Sequence, residues 1–210
     1  DLYSVPLAGG ANTRLTTTPR DETAPALSPD GQKLAYGYFE TDIPKLYLAN
    51  ANGSNAQRAL PASAGDFTIE TSPAWGPSSA LAFVSTSSGT ADIYRMVGTA
   101  APSLLAGGNA TAEVEPALSA DGQTLAFVSN RTGGTEIFLL RVATGAVTQL
   151  TSGPGSKVQP AWTPDGRLVY VESISGATRL RWLDLATPGT LNLIDTGAGA
   201  VGHPVAVAGP

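Results

Sequence analysis

The chain has 210 residues, no cysteine and a formal net charge of −5 at pH 7. The acidic balance and the lack of Lys/Arg runs argue against nucleic-acid binding, which needs a basic surface, and the absence of cysteine excludes disulfides and thiolate chemistry. No apolar stretch reaches the 18 residues or so of a membrane-spanning helix, and the 24 Gly and 16 Pro favour a chain of strands and turns.

The first 16 residues contain two short strand patterns rather than a tail. Tyr3 lies in the first of them, and residues 13–16 form the second. These two patterns match the third and fourth strands of a four-strand unit that then repeats along the chain. The chain therefore starts halfway through a repeat.

The first complete unit covers residues 17–60 and contains four strands, here called a, b, c and d. Strand a carries Pro25-Ala26-Leu27, and a Pro-Asp-Gly turn joins it to strand b at Leu34-Ala35-Tyr36. Proline presets the backbone of such a turn, and glycine tolerates the positive φ that follows. Strand c carries Tyr47, and strand d carries Arg58-Ala59-Leu60.

The same unit recurs over residues 66–106, 112–151 and 157–195. The anchoring prolines at positions 25, 73, 116, 160 and 204 are 48, 43, 44 and 44 residues apart. A period in the low forties with four short strands is typical of a β-propeller blade. We expect the aromatic residues that recur at fixed positions to pack between blades: Tyr36, Phe83, Phe127, Tyr170, Tyr47, Tyr94, Phe138 and Trp182.

The last unit is incomplete. Residues 196–203 are rich in Gly and Ala, and residues 204–208 restart strand a. We predict an all-β, single-domain propeller over residues 1–210, in which this last strand joins the two N-terminal strands to close a five-bladed ring. Closure removes exposed sheet edges. The alternative is an incomplete six-bladed ring, because the second strand of the closing blade would begin beyond Pro210.

Units such as Pro-Ala-Leu-Ser-Pro-Asp-Gly-Gln-Lys-Leu-Ala-Tyr (residues 25–36) resemble the WD40-like PD40 repeats of the TolB family of propellers. The same repeats occur in the propeller domain of dipeptidyl-peptidase-IV-like proteins. The resemblance covers nearly all of residues 1–208. It implies an extracytoplasmic bacterial protein, periplasmic or at the cell surface, that binds other proteins of the envelope.

The sequence offers little for catalysis. Its one histidine, His203, precedes Pro204, and no Gly-x-Ser-x-Gly elbow is present. A proton-transfer triad needs a base near neutral pH, and a transition-metal site needs several His or Cys ligands. We therefore predict no enzyme activity, no catalytic residue and no cofactor, while a calcium ion or small ligand in the central channel remains open.

Charged residues cluster in the loops that precede each strand a. In a propeller, the d-to-a and b-to-c loops share one face around the channel, so we expect these residues to rim one mouth. They are Asp21, Glu22, Asp66, Glu70, Glu113 and Glu115, with Arg20, Lys157 and Gln159 among them. One interpretation is an acidic docking face for a cationic segment or ion. The other is a solvated rim that keeps the protein soluble.

An aromatic pair, Tyr38 and Phe39, falls in the b-to-c loop predicted over residues 37–44, together with Glu40 and Asp42. Aromatic residues in a long loop on a channel face are candidates for binding anchors. Local packing beneath the loop is the alternative.

These observations predict a non-catalytic module that docks through one channel mouth. By resemblance, the partner is a protein of a larger envelope complex, and the chain acts as a TolB-like partner or accessory subunit. Three alternatives remain: the regulatory propeller of a peptidase, a propeller that binds carbohydrate or another small ligand, and a structural scaffold with no ligand. Fold-level analogy alone ranks these functions.

Overall fold

The computed structural model describes residues 1–6, 8–61, 68–108, 110–185 and 191–194. The regular structure in these residues consists of strands, and they contain no helix, hence none long and apolar enough to cross a membrane. The strands form four four-stranded sheets and one two-stranded sheet. The predicted fold class, an all-β propeller, is confirmed.

The strands follow the predicted order in every repeat. The two-stranded sheet consists of β1 (Tyr3–Ser4) and β2 (Thr13–Arg14). Blade one consists of β3 (Glu22–Leu27), β4 (Lys33–Phe39), β5 (Pro44–Asn50) and β6 (Gln57–Arg58). Blade two consists of β7 (Glu70–Trp75), β8 (Ala80–Ser85), β9 (Asp92–Val97) and β10 (Ser103–Ala106).

Blades three and four repeat this plan. Blade three consists of β11 (Glu113–Leu118), β12 (Thr124–Ser129), β13 (Glu136–Arg141) and β14 (Val147–Gln149). Blade four consists of β15 (Ser156–Trp162), β16 (Leu168–Ile174), β17 (Ala177–Leu183) and β18 (Leu191–Ile194). Neighbouring strands within each blade pair antiparallel, in the order a, b, c, d.

The Asp-Gly turns between strands a and b form as predicted. Gly31 and Gly122 both adopt a φ of 68°, which glycine reaches without a steric penalty. In blade one, the Ser28 hydroxyl donates to the Asp30 carboxylate at 2.6 Å, and the same carboxylate oxygen accepts from the Gln32 backbone N–H at 3.0 Å. These contacts fix the hairpin register at the short connection.

The core lies between blades, as predicted for the recurring aromatic residues of the second strands. Of those predicted on the third strands, Phe138 is buried, whereas Tyr47, Tyr94 and Trp182 are half-buried. Tyr36, Phe83, Phe127 and Tyr170 on the second strands are at most 1% exposed. Phe127 packs in a cluster that joins blade three to Ala82, Val84 and Ile93 of blade two. Burial between adjacent sheets, rather than within one sheet, therefore holds neighbouring blades together.

The four inner strands start earlier than predicted, and this corrects four loop boundaries. The strands begin at residues 22, 70, 113 and 156. Glu22, Glu70, Glu113 and Lys157 therefore belong to strands rather than to the preceding loops in which we expected them. Each strand has a shift in register just before its proline. Proline has no N–H for the ladder, and the irregularity lets pairing resume on its other side.

The closing strand predicted at residues 204–208 lies outside the described residues, as do His203 and Asp66. Five-bladed closure and the single-domain boundaries therefore stay predictions. The two-stranded sheet of β1 and β2 does form, and its register pairs Tyr3 with Arg14.

Candidate functional site

The d-to-a and b-to-c loops meet on one face of the described blades, here called the mouth. In blade one, the Phe39 N–H donates to the Asp21 carbonyl at 3.1 Å, and the Arg20 guanidinium donates to the Thr41 carbonyl at 3.4 Å. Blade two repeats the approach, since the Thr86 N–H donates to the Ile69 carbonyl at 3.1 Å. The expected grouping of these loops is therefore present in the structure.

The inner strands of successive blades contact one another around the central axis. Each carries one non-glycine residue with a left-handed backbone directly before its proline. These residues are Ala24 (φ 49°), Ser72 (51°), Glu115 (52°) and Gln159 (55°). Such conformations cost about 1–3 kcal/mol each and persist only where the surrounding structure imposes them. Because the same left-handed conformation recurs before the proline in all four blades, this strained residue is a regular feature of the blade fold.

Glu115 connects two of these strained positions across a blade boundary. Its carboxylate oxygen Oε2 accepts a hydrogen bond of 2.6 Å from the backbone N–H of Gln159. Because hydrogen bonds to an ionised group are roughly twice as strong as neutral ones, this contact ties blade three to blade four near the axis. Glu115 is half-buried.

Tyr38 and Phe39 are not loop residues, which corrects the predicted loop 37–44. Strand β4 continues to Phe39 because Tyr38 pairs with Lys45 and Phe39 with Pro44, leaving residues 40–43 as the connection. The Tyr38 ring packs edge-on against Tyr47, with centroids 5.0 Å apart. Both aromatic residues are half-buried. Part of the surface that we expected them to offer to a partner is therefore covered by packing within the blade.

The boundary between blades three and four contains a buried ion pair. The Lys157 ammonium lies 3.2 Å from Glu136 Oε1, and the two side chains are 3% and 5% exposed. Lys157 also donates to the carbonyls of Gly153 and Pro154, each at 2.9 Å. The second oxygen of Glu136 accepts from the Thr151 hydroxyl at 2.7 Å. Both charges are thus nearly fully hydrogen-bonded inside the protein.

The boundary between blades one and two is also charged in its interior. Glu70 is 3% exposed, and its Oε2 accepts from the Leu46 backbone N–H at 3.2 Å. Lys45, also 3% exposed, donates to the Thr68 carbonyl at 2.5 Å. The Arg58 guanidinium lies 3.6 Å from Glu70 Oε1. These contacts join strands c and d of blade one to strand a of blade two and to the residues just before it.

Glu113 holds the equivalent place in blade three and is fully buried. Its Oε1 accepts from the Arg131 guanidinium at 3.0 Å and from the Ser129 hydroxyl at 3.0 Å. Arg131 in turn lies over the rings of Phe127 and Phe138, 5.3 Å and 4.9 Å from their centroids. The ion pair therefore rests on the aromatic core of its own blade.

The expectation that Glu22, Glu70, Glu113 and Lys157 form an accessible rim is wrong. The Glu22 side chain is 0% exposed and accepts a hydrogen bond from the Thr18 hydroxyl. It is therefore buried, like the side chains of the other three residues. An ionised group leaves water only when it is paired or hydrogen-bonded. Glu70 and Lys157 find these partners across blade boundaries, whereas Glu22 and Glu113 find theirs within or next to their own blade. Asp21, Asp42, Glu40, Phe39, Tyr38 and Glu115 remain for the mouth.

One signal in the sequence pointed to this outcome. Glu22, Glu70 and Glu113 each lie three residues before an anchoring proline, and Lys157 holds that position in blade four. A residue in fixed register with the core repeat has a fixed place in the blade, which is typical of packing rather than of a variable binding surface.

Tyr47 gives a pH-dependent prediction. Burial, followed by its hydrogen bond of 3.0 Å to Glu40, raises the pKa of Tyr47 to about 12. Because the folded pKa lies above the unfolded value of about 10, the neutral tyrosine stabilises the fold below pH 10, and this contribution is lost as the pH rises towards 12. We expect Tyr47→Phe to lose less stability than the wild type between pH 9.5 and 11.5.

Urea unfolding of both proteins at several pH values in that interval measures the difference. Tyr170, whose pKa burial also raises to about 12, provides a matched second variant, Tyr170→Phe. Equal alkaline losses in the wild type and in Tyr47→Phe would contradict the assignment.

Among the described residues, no three His, Cys, Asp or Glu side chains come together as metal ligands would. The predicted absence of catalytic residues and cofactors stays a prediction, since His203 lies outside the described residues.

Comparison with curated proteins finds TolB proteins among the relatives of this chain. A TolB homolog of Chlorobium luteolum is 30% identical over 145 residues, which is 69% of this chain and 32% of the relative. The Tol-Pal system protein TolB of Francisella tularensis subsp. tularensis is 29% identical over 174 residues, 80% of this chain and 39% of the relative. The chain thus spans between about a third and two fifths of these relatives. No protein-family model matches it.

Solved structures show the same fold. A putative TolB from Agrobacterium tumefaciens superposes with a TM-score of 0.78 at 21% identity, over 91% of this chain and 72% of that one. A puromycin-hydrolyzing peptidase of Mycobacterium tuberculosis superposes with a TM-score of 0.68 at 18% identity, over 87% of this chain and 30% of that one.

The blades, their Asp-Gly hairpins and the mouth define a WD40-like β-propeller. The curated relatives confirm the predicted resemblance: the chain is a β-propeller similar to TolB proteins.

Proposed function

We propose that this propeller is a non-catalytic docking module that binds a protein partner of the bacterial cell envelope through its mouth. The observation that carries the proposal is the kinship with TolB proteins, one of them named as part of the Tol-Pal system. By that kinship the chain works in the periplasm or at the cell surface, as a TolB-like partner or accessory subunit of a larger assembly.

The exposed chemistry of the mouth supports docking of a cationic segment. Asp21 and Asp42 are exposed, and the Glu40 side chain is 32% exposed. Phe39 lies between them at the end of β4, half-buried. An aromatic residue surrounded by carboxylates fits the usual arrangement of an interface, with an apolar anchor and a polar rim. We assign partner contact to these residues together with Tyr38 and Glu115.

A photocrosslinking amino acid tests this proposal without knowledge of the partner. We would place it at Asp42 on the mouth and, as a matched control, at Asp121, in an exposed turn on the opposite face. Incubation with an envelope extract of the source organism and mass spectrometry would identify the crosslinked proteins. We expect one predominant partner from Asp42 and none from Asp121.

A charge reversal measures the contribution of the carboxylates. Asp21→Lys/Asp42→Lys should weaken binding of the identified partner at least tenfold, and more so at low salt, because electrostatic attraction is screened by ions. Phe39→Ala should weaken it by a similar factor if this side chain is the anchor. Equal crosslinking from both faces, or unchanged affinity in all variants, would refute docking at the mouth.

A second candidate function has one observation in its favour. The chain superposes on about 30% of the length of a puromycin-hydrolyzing peptidase. In this alternative the present chain is the regulatory propeller of a longer hydrolase. Sequencing the gene on both sides distinguishes the two, since the peptidase alternative requires an α/β-hydrolase domain in the same reading frame.

A further inference from the structure

A cleft between blades one and two opens on the face opposite the mouth, where the a-to-b and c-to-d turns meet. It has a volume of about 300 Å³, which lies at the lower end of the range for small-molecule sites. The docking function proposed above makes no use of this face.

The floor of the cleft is apolar and fixed in position. Leu48, Trp75 and Met96 line it, and Met96 is only 4% exposed. The Trp75 indole N–H donates to the Ala26 carbonyl of blade one at 3.0 Å. Because this bond crosses the boundary between the blades, it holds the ring in place and leaves part of the indole towards the cleft. A preorganised aromatic wall binds a flat apolar group at low entropic cost.

The rim of the cleft is polar and carries a positive charge. Lys33, Asn50 and Gln57 line it, and Lys33 donates to the Asn50 side-chain oxygen at 3.0 Å. Among the described residues that line the cleft, Lys33 is the one charged side chain. In a chain with a net charge of −5, this local combination of a cation and amide donors favours an acceptor-rich or anionic group.

The neighbouring carboxylate does not neutralise this arrangement. Asp30 lies close enough for Lys33 to contribute to the lowering of its pKa, but the Ser28 hydroxyl and the Gln32 N–H are the larger causes and occupy its Oδ1. Asp30 is not part of the cleft wall, and the Lys33 ammonium hydrogen-bonds to the neutral Asn50 amide. The ammonium therefore keeps donors for a ligand.

We propose that this cleft binds a small amphipathic anion, with a flat apolar body against Leu48, Trp75 and Met96 and a carboxylate-like head at Lys33, Asn50 and Gln57. The equivalent boundary between blades three and four repeats the tryptophan, since the Trp162 indole N–H donates to the Ala117 carbonyl at 3.0 Å. There, however, Thr124 and Arg141 take the places of Lys33 and Asn50. The combination of lysine and asparagine thus distinguishes the cleft at blades one and two from its counterpart at blades three and four.

A set of three indole probes of nearly equal shape tests the proposal: indole-3-acetate (anionic), indole-3-acetamide (neutral) and tryptamine (cationic). Two-dimensional ¹H–¹⁵N NMR of the full chain at pH 7.5 would follow backbone and side-chain amides during titration. We expect indole-3-acetate to shift the Asn50, Gln57 and Trp75 resonances with a dissociation constant near 1 mM, as expected from the ligand efficiency of a molecule with about 13 non-hydrogen atoms. The acetamide should bind about three- to fivefold more weakly and tryptamine more weakly still.

Three variants locate the site. Lys33→Gln should remove the preference for the acid over the amide, and Gln57→Trp, at an exposed rim position, should block all three probes. Arg141→Gln, which removes the cation at the equivalent place of blade three, should change nothing. Equal affinity for all three probes would overturn the anionic head, and shifts outside the cleft, or none at 10 mM probe, would overturn the site itself.

Discussion

Phe127→Ala should lower the free energy of unfolding by about 3–5 kcal/mol, the usual cost of deleting a large aromatic side chain from a packed core. Phe127 is 0% exposed and lies in the cluster that joins blades two and three. Its ring centroid is 5.9 Å from that of Phe138, and Arg131 lies over both rings. The substitution therefore leaves a cavity and also removes a support of the ion pair between Arg131 and Glu113.

The loss should be visible in both blades. Hydrogen exchange followed by mass spectrometry should show faster exchange in β8 and β9 of blade two as well as in β12 and β13, because the cluster includes residues of all four strands. Urea unfolding gives the energy. Phe39→Ala is a matched control, since this residue is half-buried at the end of β4, and we expect it to cost about 1 kcal/mol. A similar loss in both variants would contradict a core located between blades.

The placement of Phe127 was predictable from the sequence, as was the order of strands within each blade. Leu-Ala-Phe and its equivalents recur in register with the prolines and the Asp-Gly turns, so local turn chemistry and apolar pattern indicated the same hairpins. The start of the inner strands was not predictable in this way. A proline normally interrupts the hydrogen bonds between two strands. The structure shows that the left-handed residue before the proline, Ala24 in blade one, accompanies a register shift after which the strands pair again.

The prediction that Glu70 and Lys157 are exposed at the mouth was the larger error. Charged side chains near loops are usually exposed, so Glu70 and Lys157 were assigned to a rim. Their partners come from the neighbouring blade, 21 residues before Lys157 in the case of Glu136 and 24 before Glu70 in the case of the Leu46 N–H. The fixed position three residues before each proline indicates burial, but it does not identify the partner, because that depends on how two sheets pack. The cleft at Trp75 escaped prediction for the same reason.

Lys157→Met should destabilise the protein by about 3–5 kcal/mol, because it leaves the Glu136 carboxylate buried without its counter-ion. Glu136 is 4% exposed, and the Thr151 hydroxyl would be its remaining side-chain donor. The converse change, Glu136→Leu, should cost less than Lys157→Met, since Lys157 keeps the carbonyls of Gly153 and Pro154 as acceptors.

The double variant Glu136→Leu/Lys157→Met separates the worth of the pair from the cost of an unpaired charge. Replacing both charges by apolar side chains removes two desolvation penalties along with the attraction, so we expect the double variant to be more stable than Lys157→Met alone. Urea unfolding of the four proteins completes the double-mutant cycle. Arg14→Met is the exposed control: Arg14 pairs with Asp1 at a side-chain exposure of 47%, and its loss should cost less than about 1 kcal/mol.

Additive losses in this cycle would show that Lys157 and Glu136 do not interact in the folded protein. A coupling energy of 1 kcal/mol or more, with the double variant well folded, would show that the boundary between blades three and four requires matched groups rather than charge as such. Glu136 and Lys157 would then specify how these two blades meet. Asp21 and Asp42 would remain the exposed carboxylates proposed for the mouth, beside the partly exposed Glu40.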